Sequence, residues 1–104
     1  MFKISIIIPT INEANNLPLL LSDLLTTHKE GEIIVVDCGS EDRTIDVANI
    51  YGAKVYRSKE KNRGLQLDMG ANNSSGDWLI FLHCLVGSEM CIRDRLILYR
   101  HVKI

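Results

Sequence analysis

Four short apolar runs, at residues 4–8, 32–36, 53–56 and 78–82, are separated by segments of helical spacing. This alternation constrains the fold more than any other feature of the chain. The runs are rich in β-branched residues and do not alternate apolar with polar, the pattern of strands covered on both faces. Pro9 is read as the end of the first run. Residues 12–16 are polar and lead into Leu17, Leu20, Leu21, Leu24 and Leu25, which recur at helical spacing. Pro18 fits only a first turn, so that helix is expected to start near Asn15 or Asn16. Ser40 is placed to cap a second helix running to Ile50, with Ile45, Val47, Ala48 and Ile50 as its apolar positions. Gly52 is placed to end it. A third helix is expected over residues 65–73, with Leu65, Met69 and Ala71 turned inward. The order β-α-β-α-β-α-β predicts an α/β fold. Its parallel sheet carries helices on both faces and right-handed crossovers.

Totals narrow the functional classes. A chain of 104 residues makes one domain at most. A formal net charge of -1 gives no electrostatic reason to expect nucleic acid or an anionic membrane as partner. No apolar run approaches the roughly 20 residues of a membrane span. MFKISIIIP combines a basic residue with an apolar run, but the run is too short for a signal peptide and no small-residue cleavage site follows. Cys38, Cys84 and Cys91 make no pairwise framework and no CxxC spacing, which points to a reducing, cytoplasmic setting.

In an open parallel sheet, ligands bind at the carboxyl ends of the strands. PTINE (9–13), DCGSEDRT (37–44) and LHCL (82–85) are expected there. The first loop lacks glycine, so a pyrophosphate cannot approach its backbone in the dinucleotide-fold manner, and no GxxxxGK[ST] is present. Asp37 closes the second strand, where a carboxylate can accept from ribose hydroxyls or a base N–H. Gly39 permits a tight turn. Ser40 and Asp42 can cap the next helix, and capping alone is the competing explanation for them. Glu13 suits the first turn of a helix through the dipole alone. Arg63 and Gly64 stand where a helix opens, which suits a diphosphate, although a solvated charged loop with Lys59, Glu60 and Lys61 explains them too. His83 ends the fourth run, and a lone histidine is more often structural than a ligand.

Together these segments resemble the family 2 glycosyltransferases, which have a GT-A fold. SIIIPTINEANNLPLLLSDL (5–24) is similar to the family's opening strand and helix, and IIVVDCGSEDRTIDVA (33–48) to its second strand and D-x-G-S-x-D-x-T turn. NRGLQLDMGANNSSGDWLIFLH (62–83) is similar to the helix and strand that lead to the metal site, in the subgroup whose fourth strand ends in LHAD. The resemblance implies a nucleotide-sugar donor and an acceptor hydroxyl, with a divalent cation, Mg or Mn, bridging the diphosphate. It implies that Pro9, Thr10, Asn12 and Glu13 line the nucleotide pocket. Asp37, with Gly39 and Ser40 in its turn, would contact base or ribose. Arg63 and Gly64 would lie near the diphosphate or sugar, and His83 beside the metal acid.

The pattern breaks at Cys84. Leu85 stands where the metal acid belongs, and it has no donor atom. Asp68 replaces the subgroup's usual Asn. Three readings exist for residues 84–104: a native end, an interaction helix with Leu96, Ile97, Tyr99 and Val102 as its stripe, or a non-native, adaptor-like tail. The third explains the lost acid and the lost acceptor half with one cause. The expected division is therefore residues 1–83 as the N-terminal part of a glycosyltransferase 2-like domain and 84–104 as a non-native or disordered tail. A fragment of this kind would be inactive by itself, and its sheet would keep an open edge. The alternative function is a noncatalytic Rossmann-like nucleotide-binding module.

Overall fold

The computed structural model describes residues 3–27, 31–82 and 97–100. In chain order the elements are β1 (Ile4–Thr10), α1 (Leu17–Thr27), β2 (Glu32–Asp37), α2 (Thr44–Ile50), β3 (Lys54–Arg57), α3 (Arg63–Asn72), β4 (Trp78–Phe81) and β5 (Ile97–Arg100). They form one sheet in the order β3-β2-β1-β4-β5. The first four strands are mutually parallel, and β5 joins β4 antiparallel. β5 is the edge strand beside β4, and residues 97–100 form a strand instead of the helical stripe considered for them. His83, Cys84 and Leu85 lie outside the described residues.

Ile6, Ile7 and Ile8 are all fully buried, as are Ile34, Val35 and Val36, because successive side chains enter cores on opposite faces. On one face Ile6, Ile8, Ile33, Val35, Ile80 and Leu82 pack with Leu17, Leu21 and Leu24 of α1 and Ala48 of α2. On the other, Ile7, Ile34, Val36 and Leu79 meet Leu67, Met69 and Ala71 of α3. Each fully buried leucine of α1 contributes about 2 kcal/mol by area removed from water. Two central strands covered on both sides therefore hold their carboxyl ends rigidly, and the candidate site sits on those ends.

Three local expectations are corrected. First, β1 runs through Pro9 to Thr10, with Pro9 beside Val36 and Thr10 beside Asp37. Ile7 O accepts from Leu82 N, so Pro9, two residues on, presents its nitrogen to the same side as Ile7. That is past the last β4 pair, Ile7 with Phe81, so the missing N–H costs no described ladder bond. Second, α2 starts at Thr44 instead of just after Ser40, and no side chain caps it from Arg43. Third, apolar residues read as inward are not all so. Leu25 is 43% exposed, Ile50 80% and Leu65 44%. In α3 the residues that turn fully inward are Gln66 and Gly70. A Cβ on Gly70 would lie 2.4 Å from Ile7 Cγ2, so only glycine lets the helix sit this close to the sheet.

Candidate functional site

The carboxyl edge gathers the β1–α1 loop, the β2–α2 loop and the amino end of α3. Asp37 is the anchor. Its Oδ1 accepts from Thr10 Oγ1 at 2.7 Å and from Ser40 Oγ, and its Oδ2 accepts from Ser40 N at 2.9 Å. Gly39 makes the turn possible with a φ of 63°. Ser40 is therefore not the helix cap expected of it. It closes the turn back onto the end of β2.

The two loops interlock through their amides. Asn12 N donates to Ser40 Oγ at 2.8 Å, Glu13 N to Thr44 Oγ1 at 2.8 Å, and Ala14 N to Asp42 Oδ2 at 3.1 Å. In return Asn12 Oδ1 accepts from Glu41 N at 2.8 Å and Asp42 N at 3.4 Å. Asn12 adopts a φ of 51°, a left-handed conformation that asparagine tolerates better than most residues. In a dinucleotide-binding fold, amides at this place turn to the pyrophosphate. Here the amides of residues 12, 13 and 14 already have protein partners, so they do not present a free row of N–H groups. The S-x-D-x-T spacing carries this signal, since acceptors at 40, 42 and 44 serve those amides. Thr44 was missed from sequence, and Asp42 caps α1's approach instead of only its own helix.

Asn62 caps α3, its Oδ1 accepting from Leu65 N at 3.1 Å. Arg63 and Gly64 follow at the exposed start of the helix. Gln66, also missed from sequence, is buried and donates from Nε2 to Val36 O at 2.9 Å and Thr10 O at 3.2 Å. Charge ties the groups together. Burial raises the Glu13 carboxyl above its usual range; the Asn16 amide and the Arg63 charge act against that, and Asp42 adds to it. Asp42 is held low despite desolvation, because the Thr44 hydroxyl and the amides of Ala14 and Thr44 stabilise its charged form.

Of the residues singled out from sequence, Asn12, Gly39, Arg63 and Gly64 are exposed, and Ser40 is half-buried. Pro9, Thr10, Glu13 and Asp37 are buried. Asp37 has no exposed surface at all, so the direct contact with base or ribose expected of it is not open in this arrangement. Its carboxylate is enclosed by its own turn. The metal expectation finds no ligand set either. Among the described residues no group of three or more His, Cys, Asp or Glu could hold an ion. Leu85, where the metal acid is expected, has no donor atom and lies outside the described residues. No helix among the described residues is long and apolar enough to cross a membrane.

The fold defines a Rossmann-like α/β unit of GT-A type, with two interlocked loops and one arginine-bearing helix end at the carboxyl edge of its sheet. Residues 5–84 match the family model described as glycosyl transferase family 2, and the chain belongs to that family. A PGL/p-HBAD biosynthesis glycosyltransferase of Mycobacterium bovis is 36% identical over 85 residues, covering 75% of this chain and 33% of that protein. A 4,4'-diaponeurosporenoate glycosyltransferase of Staphylococcus haemolyticus is 40% identical over 87 residues, covering 77% and 23%. Among solved structures, the Mycobacterium tuberculosis glucosyl-3-phosphoglycerate synthase in complex with Mn2+, uridine diphosphate and phosphoglyceric acid superposes with a TM-score of 0.69 at 26% identity. That match covers 80% of this chain and 33% of the synthase. The chain thus spans a third or less of the length of these relatives.

Proposed function

We propose that the protein is the donor-binding part of a glycosyltransferase that moves a sugar from a nucleoside-diphosphate sugar to an acceptor hydroxyl. The family match over residues 5–84 carries this reading, and the convergence of three loops at the carboxyl edge supports it. The nucleoside side is formed by the loops of Pro9, Thr10, Asn12, Glu13, Asp37, Gly39 and Ser40. Buried Asp37 shapes this surface from beneath. The diphosphate lies toward Arg63 and Gly64, because the amides of residues 12, 13 and 14 in the β1–α1 loop are already occupied. There the guanidinium offers a two-pronged donor to phosphate oxygens. Titration of the chain with uridine diphosphate and guanosine diphosphate tests this. At least one is expected to bind saturably, and Arg63→Ala is expected to weaken it about tenfold, the effect of one lost charge-assisted contact. Absence of binding by both, or an unchanged affinity in the variant, overturns the placement.

Chemistry belongs to a longer chain in this proposal. Residues 84–104 are a non-native continuation, and the family's LHAD-type acid stands at position 85 of the parent in place of Leu85. The parent then carries the Mg or Mn site, and the 104 residues alone bind without turnover. Reading the gene outward from codons 62–83 checks it. An Ala-Asp pair after His83 followed by a long open frame is the expected result. Cys-Leu-Val-Gly in the native gene overturns it and favours the noncatalytic nucleotide-binding module.

A further inference from the structure

We infer that Gln66 is a positioning residue that fixes Arg63 against the nucleoside loops. The inference rests on the diphosphate placement proposed above. Gln66 is 4% exposed, yet it sits on a helix face that otherwise meets apolar residues. A buried primary amide is costly unless its hydrogens are used. Both are used here, and both go to carbonyls at the last rung of the β1–β2 ladder, Thr10 O and Val36 O. Thr10 O also accepts from Cys38 N, so the same carbonyl ties strand end, turn and helix.

The geometry makes this clip directional. Arg63 and Gln66 are three residues apart and lie on neighbouring parts of one helix turn. Gly70 is one further turn along, where the absent Cβ lets α3 press against Ile7 and Val36. The helix is thus held at two points, by a steric seat at Gly70 and a polar clip at Gln66. The steric seat sets how close α3 lies to the sheet. The polar clip sets where its amino end stands along the strands, since the carbonyls are discrete points. Arg63 rides on that end, and its charge is felt at Glu13 in the first loop. Without the clip, α3 keeps its apolar contacts but its first turn is free to shift.

The test is whether Arg63 loses its value when Gln66 is changed, which a role in stability alone would not produce. Uridine diphosphate is titrated into the full chain carrying Arg63→Ala, Gln66→Met, and both. Arg63→Ala is expected to cost about tenfold in the native background and under about threefold in the Gln66→Met background, a non-additivity typical of coupled residues. An equal cost in both backgrounds overturns the inference, whatever Gln66→Met does to the melting temperature. Should Gln66→Met not fold, Gln66→Glu keeps the shape and serves instead. Its carboxylate repels the two carbonyls when charged and can donate once protonated. The cost of Arg63→Ala is then expected to return as pH falls from about 8 to about 5, relative to the native background at each pH. A pH-independent cost in Gln66→Glu also overturns the inference. If the native chain binds no nucleoside diphosphate, the donor-site reading fails and this inference fails with it. If it binds and the cycle is additive, only the inference fails.

Discussion

Glu32→Gln is expected to remove up to about 3 kcal/mol of stability at neutral pH and to flatten the acid side of the stability profile. Glu32 lies at the amino ends of the strands, opposite the ligand edge. Its Oε2 accepts from Ser5 Oγ at 2.6 Å, Ser75 N at 2.9 Å and Ser75 Oγ at 3.1 Å, and its Oε1 from Lys54 Nζ at 2.6 Å. Ser5 Oγ in turn accepts from Gly76 N at 2.8 Å. One carboxylate therefore joins β1, β2, β3 and the turn before β4. Burial alone would raise its pKa, but the hydrogen bonds from Lys54, Ser5 and Ser75 outweigh it and hold the group at about 2 instead of 4.5. The folded value is depressed, so the stabilisation is fully present above about 4.5 and is lost as pH falls toward about 2. At about 1.4 kcal/mol per pH unit, this window gives the figure above. The exposed Lys54 adds little beyond its hydrogen bond. Urea unfolding at about pH 7 and pH 3 checks the expectation. The native chain should lose far more stability between the two than Glu32→Gln does, and equal losses would show that the carboxylate is not the acid-sensitive group.

Glu32 also shows what was legible in the sequence. The parallel sheet was, because Ile6–Ile8 and Ile34–Val36 are uninterrupted apolar runs and only a strand covered on both faces needs them. The convergence of the 9–13 and 37–44 loops followed from topology alone. Polar residues with buried duties were not legible. Glu32 stands first in a run read as a buried strand, and nothing in that run names the partners its carboxylate finds. Gln66 breaks the apolar periodicity of α3, so Leu65 reads as the inward residue although it is the more exposed neighbour. Pro9 reads as a terminator because it lacks an N–H, but that loss matters only where a neighbouring strand would accept it, and β4 has ended by then. Ser40 has the composition of a cap. Whether it bonds forward to a helix or back to Asp37 depends on the glycine turn between them. In each case a tertiary partner decides the role, and local spacing does not contain it.

Asp37→Ala is expected to have the largest effect at the ligand edge, on stability and on nucleotide affinity together. Removing a fully buried carboxylate strands Thr10 Oγ1 and both donors of Ser40, which costs on the order of 3 kcal/mol. Affinity for uridine or guanosine diphosphate is expected to fall at least about tenfold, measured well below the variant's melting temperature. Two routes lead to that loss, and they can be separated. If the carboxylate met the ligand, its removal would act whatever the state of the turn. The structure favours the other route, because Asp37 is sealed and Ser40 stands between it and Asn12. Ser40→Ala releases the same turn and leaves the carboxylate in place. It should therefore reproduce most of the affinity loss at less cost in stability. The double variant should then bind little worse than Asp37→Ala alone, the non-additivity expected of residues acting as one unit. Additive losses would mean that Asp37 reaches the nucleotide directly, in an arrangement where its turn has opened.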